Sequence, residues 1–232
     1  MTNEEKFIED YKRLESVVKR TFKLRDGDSI SEYLVGYPGY SKYADEIRYC
    51  QRIRNILQHN EKIDGNFPVI PSNAMIDFLE KLINKISNRK KCRDLAIPYG
   101  KVYKQDMNGN VYEAMQIMQQ NMYTNVPILQ DKKVIGVFDE NSLFVYLAKE
   151  GIAMIDNATT FMDIKDYLSI GNREMEDFIF VSPNLYVDEL ENRMKKLFNH
   201  NKRIGMAFVT TNGKPDTDLT GIITPWDIIA SH

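Results

Sequence analysis

The turn that closes the chain, GIITPWDII, places Thr224, Pro225, Trp226 and Asp227 directly behind the apolar run Gly221, Ile222 and Ile223. A strand running into a Thr-x-x-Asp helix start gathers a hydroxyl, several unpaired backbone N–H groups and a carboxylate at one point, a set that suits phosphate and sugar hydroxyls. The same residues also make an ordinary helix start, with Thr as cap, Pro at the first helical position and an acid three places after the cap. A second polar constellation, RNILQH, holds Arg54, Asn55 and His59. On an ideal helix Asn55 and His59 share a face, whereas Arg54 and His59 stand roughly 140° apart.

The elements that position the closing turn occur twice. VYEAMQIM, from Val111 to Met118, and VDELENRM, from Val187 to Met194, both read as amphipathic helix openings with Val first, Glu third and Met last. A short apolar strand follows each, VPIL from Val126 and MAFV from Met206, and then VIGVFDENS and LTGIITPWD. The spacing between the copies grows only in loops, around His200 to Gly205 and Thr211 to Leu219. Each unit predicts strand, helix, strand, strand, helix over roughly 55 to 60 residues, too short to bury a comfortable core alone, so the two are expected to pack together.

In that element order, in VPIL and in the closing G-x-x-T-x-x-D, the stretch from about residue 93 to 232 resembles the CBS domain family, whose members occur as tandem pairs called Bateman modules. The resemblance puts repeat one at about 93–155 and repeat two at about 173–232. It implies a regulatory cleft for an adenine-containing ligand such as AMP, ADP, ATP, S-adenosylmethionine or cyclic di-AMP, with no cofactor required. Carried onto this chain, it has Thr224 meet a phosphate or ribose oxygen and Asp227 accept from the ribose hydroxyls. The adenine would lie against Thr124, Asn125, Val126 and Pro127 and the entering strand around Tyr103 to Gln105, and Tyr103 would stack on the base or simply pack. Arg203, with Lys202 beside it, is a candidate source of positive charge. Repeat one departs from the pattern: Asp139 stands where Thr224 stands, and Ser142 where Asp227 stands. A carboxylate there repels an anion, so one competent cleft of two is expected.

Residues 1–92 have a different texture. Phe7, Tyr11, Leu14, Val18 and Phe22 recur at helical spacing, as do Ile76, Leu79, Leu82, Ile83 and Ile86. Between these helices lie a Gly- and Pro-punctuated stretch, a third helix YADEIRYCQRIRNILQHN, and a loop ending at Ser72 or Asn73 as cap. The Arg-x4-His of this third helix, with Asn after the Arg, resembles the HEPN superfamily. That resemblance implies a homodimer and, as an alternative function, a metal-independent ribonuclease in which His59 takes the 2′-hydroxyl proton and Arg54 stabilises the phosphorane. The residues after His59, Asn60 and Glu61, lack the Tyr that active members often carry. On the plainer reading Arg54 pairs with an acid such as Asp45 or Glu46, and His59 caps the helix C-terminus.

Composition narrows the classes. Basic and acidic side chains nearly balance, 31 against 33, so no net field draws the chain to nucleic acid or a membrane, and RNA belongs only to the ribonuclease alternative. The start, MTNEEKFIEDYKRL, is acidic and amphipathic, unlike a secretory signal, and no run reaches the roughly 20 apolar residues of a membrane span. Two isolated cysteines fit a reducing compartment, so a cytoplasmic location is expected. With three His and no CxxC, no structural metal is expected. The expectation is an α+β chain: an all-helical dimerisation or effector domain, controlled by a ligand-sensing pair of CBS repeats.

Overall fold

A computed structural model of the chain describes residues 1–150, 154–171, 176–198 and 203–230, and divides into two compact units, Met1–Arg89 and Lys90–His232. The fold class is α+β as expected, with a helical unit followed by a mixed α/β unit.

In the helical unit α1 (Asn3–Phe22) starts at a capping box. Glu5 N donates to Thr2 Oγ1 and Thr2 N donates back to the Glu5 carboxylate, which satisfies two otherwise orphan donors. Its apolar stripe, Phe7, Tyr11, Leu14 and Val18, is buried against Ile76, Leu79, Ile83 and Ile86 of α4 (Asn73–Ser87), for which Ser72 is the cap. Between them run α2 (Ile30–Gly36) and α3 (Ala44–His59). The Gly- and Pro-punctuated stretch contains a helix, α2. Ser29 caps it through Glu32 N, and Ile30 and Leu34, four places apart, are both buried.

The second unit begins with α5 (Cys92–Leu95) and β1 (Ile97–Pro98). The first copy of the repeat supplies α6 (Val111–Asn121), β2 (Asn125–Gln130), β3 (Lys133–Asp139) and α7 (Glu140–Glu150). The second supplies β4 (Glu176–Val181), α8 (Val187–Phe198), β5 (Arg203–Thr210), β6 (Leu219–Ile223) and α9 (Pro225–Ala230). The second copy has the full element order, its sheet running β1-β6-β5-β4 with β4 and β5 parallel. In the first copy the opening strand shrinks to a one-residue parallel bridge, in which Gln105 N donates to Pro127 O and Leu129 N to Gln105 O. The residues before it, Ile97 and Pro98, pair instead with Ile222 and Gly221 of the second copy.

The first copy has a core around Val111, Ile128, Phe138, Phe161 and Leu168, and the second one around Leu190, Ala207, Val209 and Ile223. A third cluster draws on both, with Leu129, Val134 and Val137 from one and Met206, Phe208 and Ile222 from the other. The two copies bury this common face, as their short length requires.

The glycine that the two copies share has one physical reason. A Cβ on Gly136 would stand 2.9 Å from the Leu168 carbonyl oxygen, and one on Gly221 would stand 2.6 Å from that of Ile97. Each backs onto a passing main chain that a side chain would push away. In the first copy the passing chain is the segment between the repeats, held on β3 by a bond from Val137 N to Leu168 O at 2.9 Å.

Candidate functional site

The two strand-to-helix turns of the second unit open onto one cleft of about 990 Å³. From the first copy it is lined by Tyr103, Met122, Tyr123, Thr124 and Asn125 and by the start of α7, Asp139, Glu140, Asn141 and Phe144. From the second copy come Ile204, Gly205, Met206 and Ile222 and the start of α9, Thr224, Pro225 and Trp226; Ile97, Lys101 and Val102 complete it. Its volume lies within the range of small-molecule sites. Asp139 of the first turn and Thr224 of the second both line this cleft.

At each turn a hydroxyl and a carboxylate three residues apart hold one another, in opposite order. In the second copy Thr224 donates through its N–H and its hydroxyl to Asp227 Oδ2, both at 2.7 Å, and the Asp227 N–H returns to Thr224 Oγ1 at 3.3 Å. In the first copy Ser142 donates through its N–H at 2.6 Å and its hydroxyl at 2.7 Å to Asp139 Oδ1. The exchange of Thr and Asp for Asp and Ser therefore preserves the helix cap and moves the carboxylate one turn back. Asp139 and Ser142 are each 3% exposed.

The opposite wall is aromatic and polar. The rings of Tyr103 and Tyr123 stack with centroids 6.0 Å apart. Asn125 donates its amide to Thr124 Oγ1 at 3.1 Å, and its own Oδ1 is buried with no hydrogen-bond partner among the described residues. An acceptor left in that state costs about 1–3 kcal/mol. At the lip, Trp226 is 77% and Phe144 70% exposed.

The sequence-predicted ligand contacts thus divide. Tyr103, Thr124, Asn125 and Thr224 line the cleft. Val126 and Pro127 are buried in β2 beneath it. Asp227 is not among the lining residues and acts on the turn by holding Thr224. Arg203 gives backbone to β5, and its side chain, like His200, Lys202 and His232, lies outside the described residues. Sequence reasoning missed Tyr123, Phe144 and Trp226 as walls.

In the helical unit the Arg-x4-His residues are not brought together. Arg54 turns inward, with Nη2 at 3.4 Å from Glu15 Oε1, its guanidinium over the Tyr11 ring and Nη1 donating to Asn55 Oδ1. The acid it meets is Glu15 of α1, not Asp45 or Glu46. His59 is exposed at the last residue of α3. Among the described residues no hydrogen bond or ion pair joins it to Arg54. Elsewhere burial pushes the Cys50 and Cys92 thiols up to about 12, so neither is a thiolate near neutrality. Among the described residues no cluster of metal-ligating side chains occurs, and no helix is long and apolar enough to cross a membrane.

Comparison with known proteins bears on the same unit. The family model of the CBS domain matches residues 106–149, which begin just after the bridge residue Gln105 and run into the last turn of α7. The C-terminal part contains a CBS domain. It is the first copy, with Asp139 and Ser142 at its turn, that the model matches. No curated protein matches the chain. Among solved structures, a hemolysin-like protein containing a CBS domain from Oenococcus oeni PSU is similar at 21% identity and a TM-score of 0.41, over 62% of this chain and 90% of that one. CBSX2, solved in complex with AMP, is 15% identical at a TM-score of 0.42, over 61% and 95%. CbpB, solved with c-di-AMP, is 15% identical at 0.45, over 61% and 83%.

Proposed function

We propose that the chain is a regulatory protein whose CBS-type unit binds an adenine nucleotide or a related ligand in the cleft between its two turns, and that binding controls the helical unit as a dimerisation or effector domain. The observation that carries this reading is a cleft of about 990 Å³ whose walls hold the stacked rings of Tyr103 and Tyr123 together with Thr124, Asn125 and Thr224. A planar heteroaromatic ring is the ligand feature that suits a wall of two tyrosines. Control follows if the ligand has different affinities for two arrangements of the unit, and it extends only as far as that difference. The helical unit, with its own core and no assembled catalytic pair, has the character of a responding element. The protein acts as a homodimer in the cytoplasm under this reading.

A thermal-shift screen with AMP, ADP, ATP, NAD, S-adenosylmethionine, cyclic di-AMP and adenosine tests it. At a hundred times its dissociation constant a native-state ligand adds about 2.7 kcal/mol, which at this chain length moves the midpoint by roughly 5–10 °C. At least one adenine compound is expected to do so, and Asn125→Ala to weaken the shift. If none of the seven moves the midpoint, the reading is wrong.

A further inference from the structure

We propose that the helical unit carries a ligand site of its own, a pocket between α2 and α3 that takes a small phosphomonoester bearing hydroxyl groups, such as a sugar phosphate. The pocket has a volume of about 560 Å³, within the range of small-molecule sites. Glu32, Val35 and Gly36 line it from α2, and Arg48, Gln51 and Arg52 from α3. None of these residues lines the cleft of the second unit.

The two arginines are what an oxyanion needs. Other basic side chains of the unit are held by carboxylates: Lys6 by Glu80 at 2.6 Å, Lys19 by Asp26 at 3.2 Å and Arg54 by Glu15 at 3.4 Å. Arg48 and Arg52 are exposed, and among the described residues no ion pair or hydrogen bond holds either, although Glu32 stands on the facing wall. Their spacing of four places both on one face of α3, where like charges repel and weaken a helix slightly. An oxyanion between them replaces that repulsion with attraction, and the planar guanidinium fork meets phosphate oxygens two at a time. The Arg52 guanidinium already lies 4.5 Å from the centroid of the Tyr49 ring, a stack that limits its freedom and so reduces the entropy lost on binding.

The rest of the lining says what else the ligand carries. Glu32 repels a second phosphate but accepts hydrogen bonds from hydroxyl groups, and the half-buried Gln51 amide either donates or accepts. Two guanidinium groups against one carboxylate suit a single phosphate rather than a polyanionic strand. At Gly36 nothing stands within 4 Å of the point a Cβ would occupy, which leaves room beside the α2 wall for the body of the ligand.

The test is a nuclear magnetic resonance titration of the isotope-labelled full chain, following the arginine Nε–Hε signals, with glucose 6-phosphate, inorganic phosphate and glucose as probes. Glucose 6-phosphate and inorganic phosphate are expected to move the Arg48 and Arg52 signals, glucose to leave them in place, and glucose 6-phosphate to bind the more tightly of the two. Arg48→Gln and Arg52→Gln, both on exposed side chains, are each expected to weaken glucose 6-phosphate by about tenfold or more with the melting midpoint unchanged. Glu32→Ala is expected to remove its advantage over inorganic phosphate. Lys12→Gln combined with Lys81→Gln removes as much charge from exposed positions outside the pocket, and it is expected to leave binding within about twofold of wild type. The proposal is overturned if millimolar glucose 6-phosphate moves neither arginine signal, or if the lysine pair weakens binding as much as the arginine variants do. An advantage over inorganic phosphate that survives Glu32→Ala overturns it as well. So does a short RNA strand that moves the two signals when glucose 6-phosphate does not, which would make this face a nucleic-acid surface.

Discussion

At the residue scale the decisive fact is how often a polar side chain at a suggestive position is already engaged by the fold. Arg54 stands on the inward side of α3, on Glu15 and over Tyr11, while Asn55 and His59 face solvent. Its work is structural, combining an ion pair that is about one quarter to one third exposed, ring contact and stem packing. Arg54→Ala is therefore expected to lower the stability of the helical unit by about 1–2 kcal/mol, a loss of several degrees in midpoint for a unit of this size. His59→Ala, on an exposed helix end, is expected to stay within about 0.5 kcal/mol of wild type. Circular dichroism melts of both variants check this, and equal behaviour of the two would refute the structural role of Arg54. The inward turn was not legible in RNILQH, since helical spacing shows which residues share a face but not which face is buried. Only the long-range neighbour Glu15 decides that.

At the element scale the duplicated unit was legible because its marks are local: a helix opening, an apolar strand and a glycine before a capped turn. What escaped was set by distant partners. α2 spans seven residues between glycines and earns its place through burial of Ile30 and Leu34. The opening strand of the first copy is reduced to Gln105 because Ile97 and Pro98 are taken by β6. The two shared glycines test this account of the elements. Gly221→Ala drives a Cβ against the Ile97 carbonyl that pairs β1 to β6, and Gly136→Ala drives one against Leu168 on the segment between the repeats. Each is expected to cost about 1–3 kcal/mol in denaturant unfolding. Gly100→Ala, with nothing within 4 Å of the added Cβ, is the control and should change little. Tolerance of alanine at both shared positions would mean that the close approaches do not hold the sheet and the segment.

At the scale of the whole molecule the proposed homodimer has a surface to use. Phe144 and Leu147 on α7, and Trp226 and Ile229 on α9, are large apolar side chains between 42% and 77% exposed, three residues apart on each helix. Scattered exposed apolar residues are ordinary, but two such pairs flanking one cleft form the kind of patch that marks an interface. A second copy related by a twofold axis would cover the same helices on both partners at once. Light scattering in micromolar solution is then expected to give twice the 27.0 kDa chain mass. Leu147 and Ile229 are not among the cleft-lining residues, so Leu147→Glu combined with Ile229→Glu is expected to yield the 27.0 kDa monomer with adenosine affinity intact. A wild-type monomer, or a double variant that stays dimeric, would place the interface elsewhere or remove it. If dissociation weakened adenosine binding in proportion, the ligand and the assembly would be linked, and by reciprocity the ligand would tighten the dimer by the same factor. That factor sets the most that ligand binding could transmit through assembly to the helical unit.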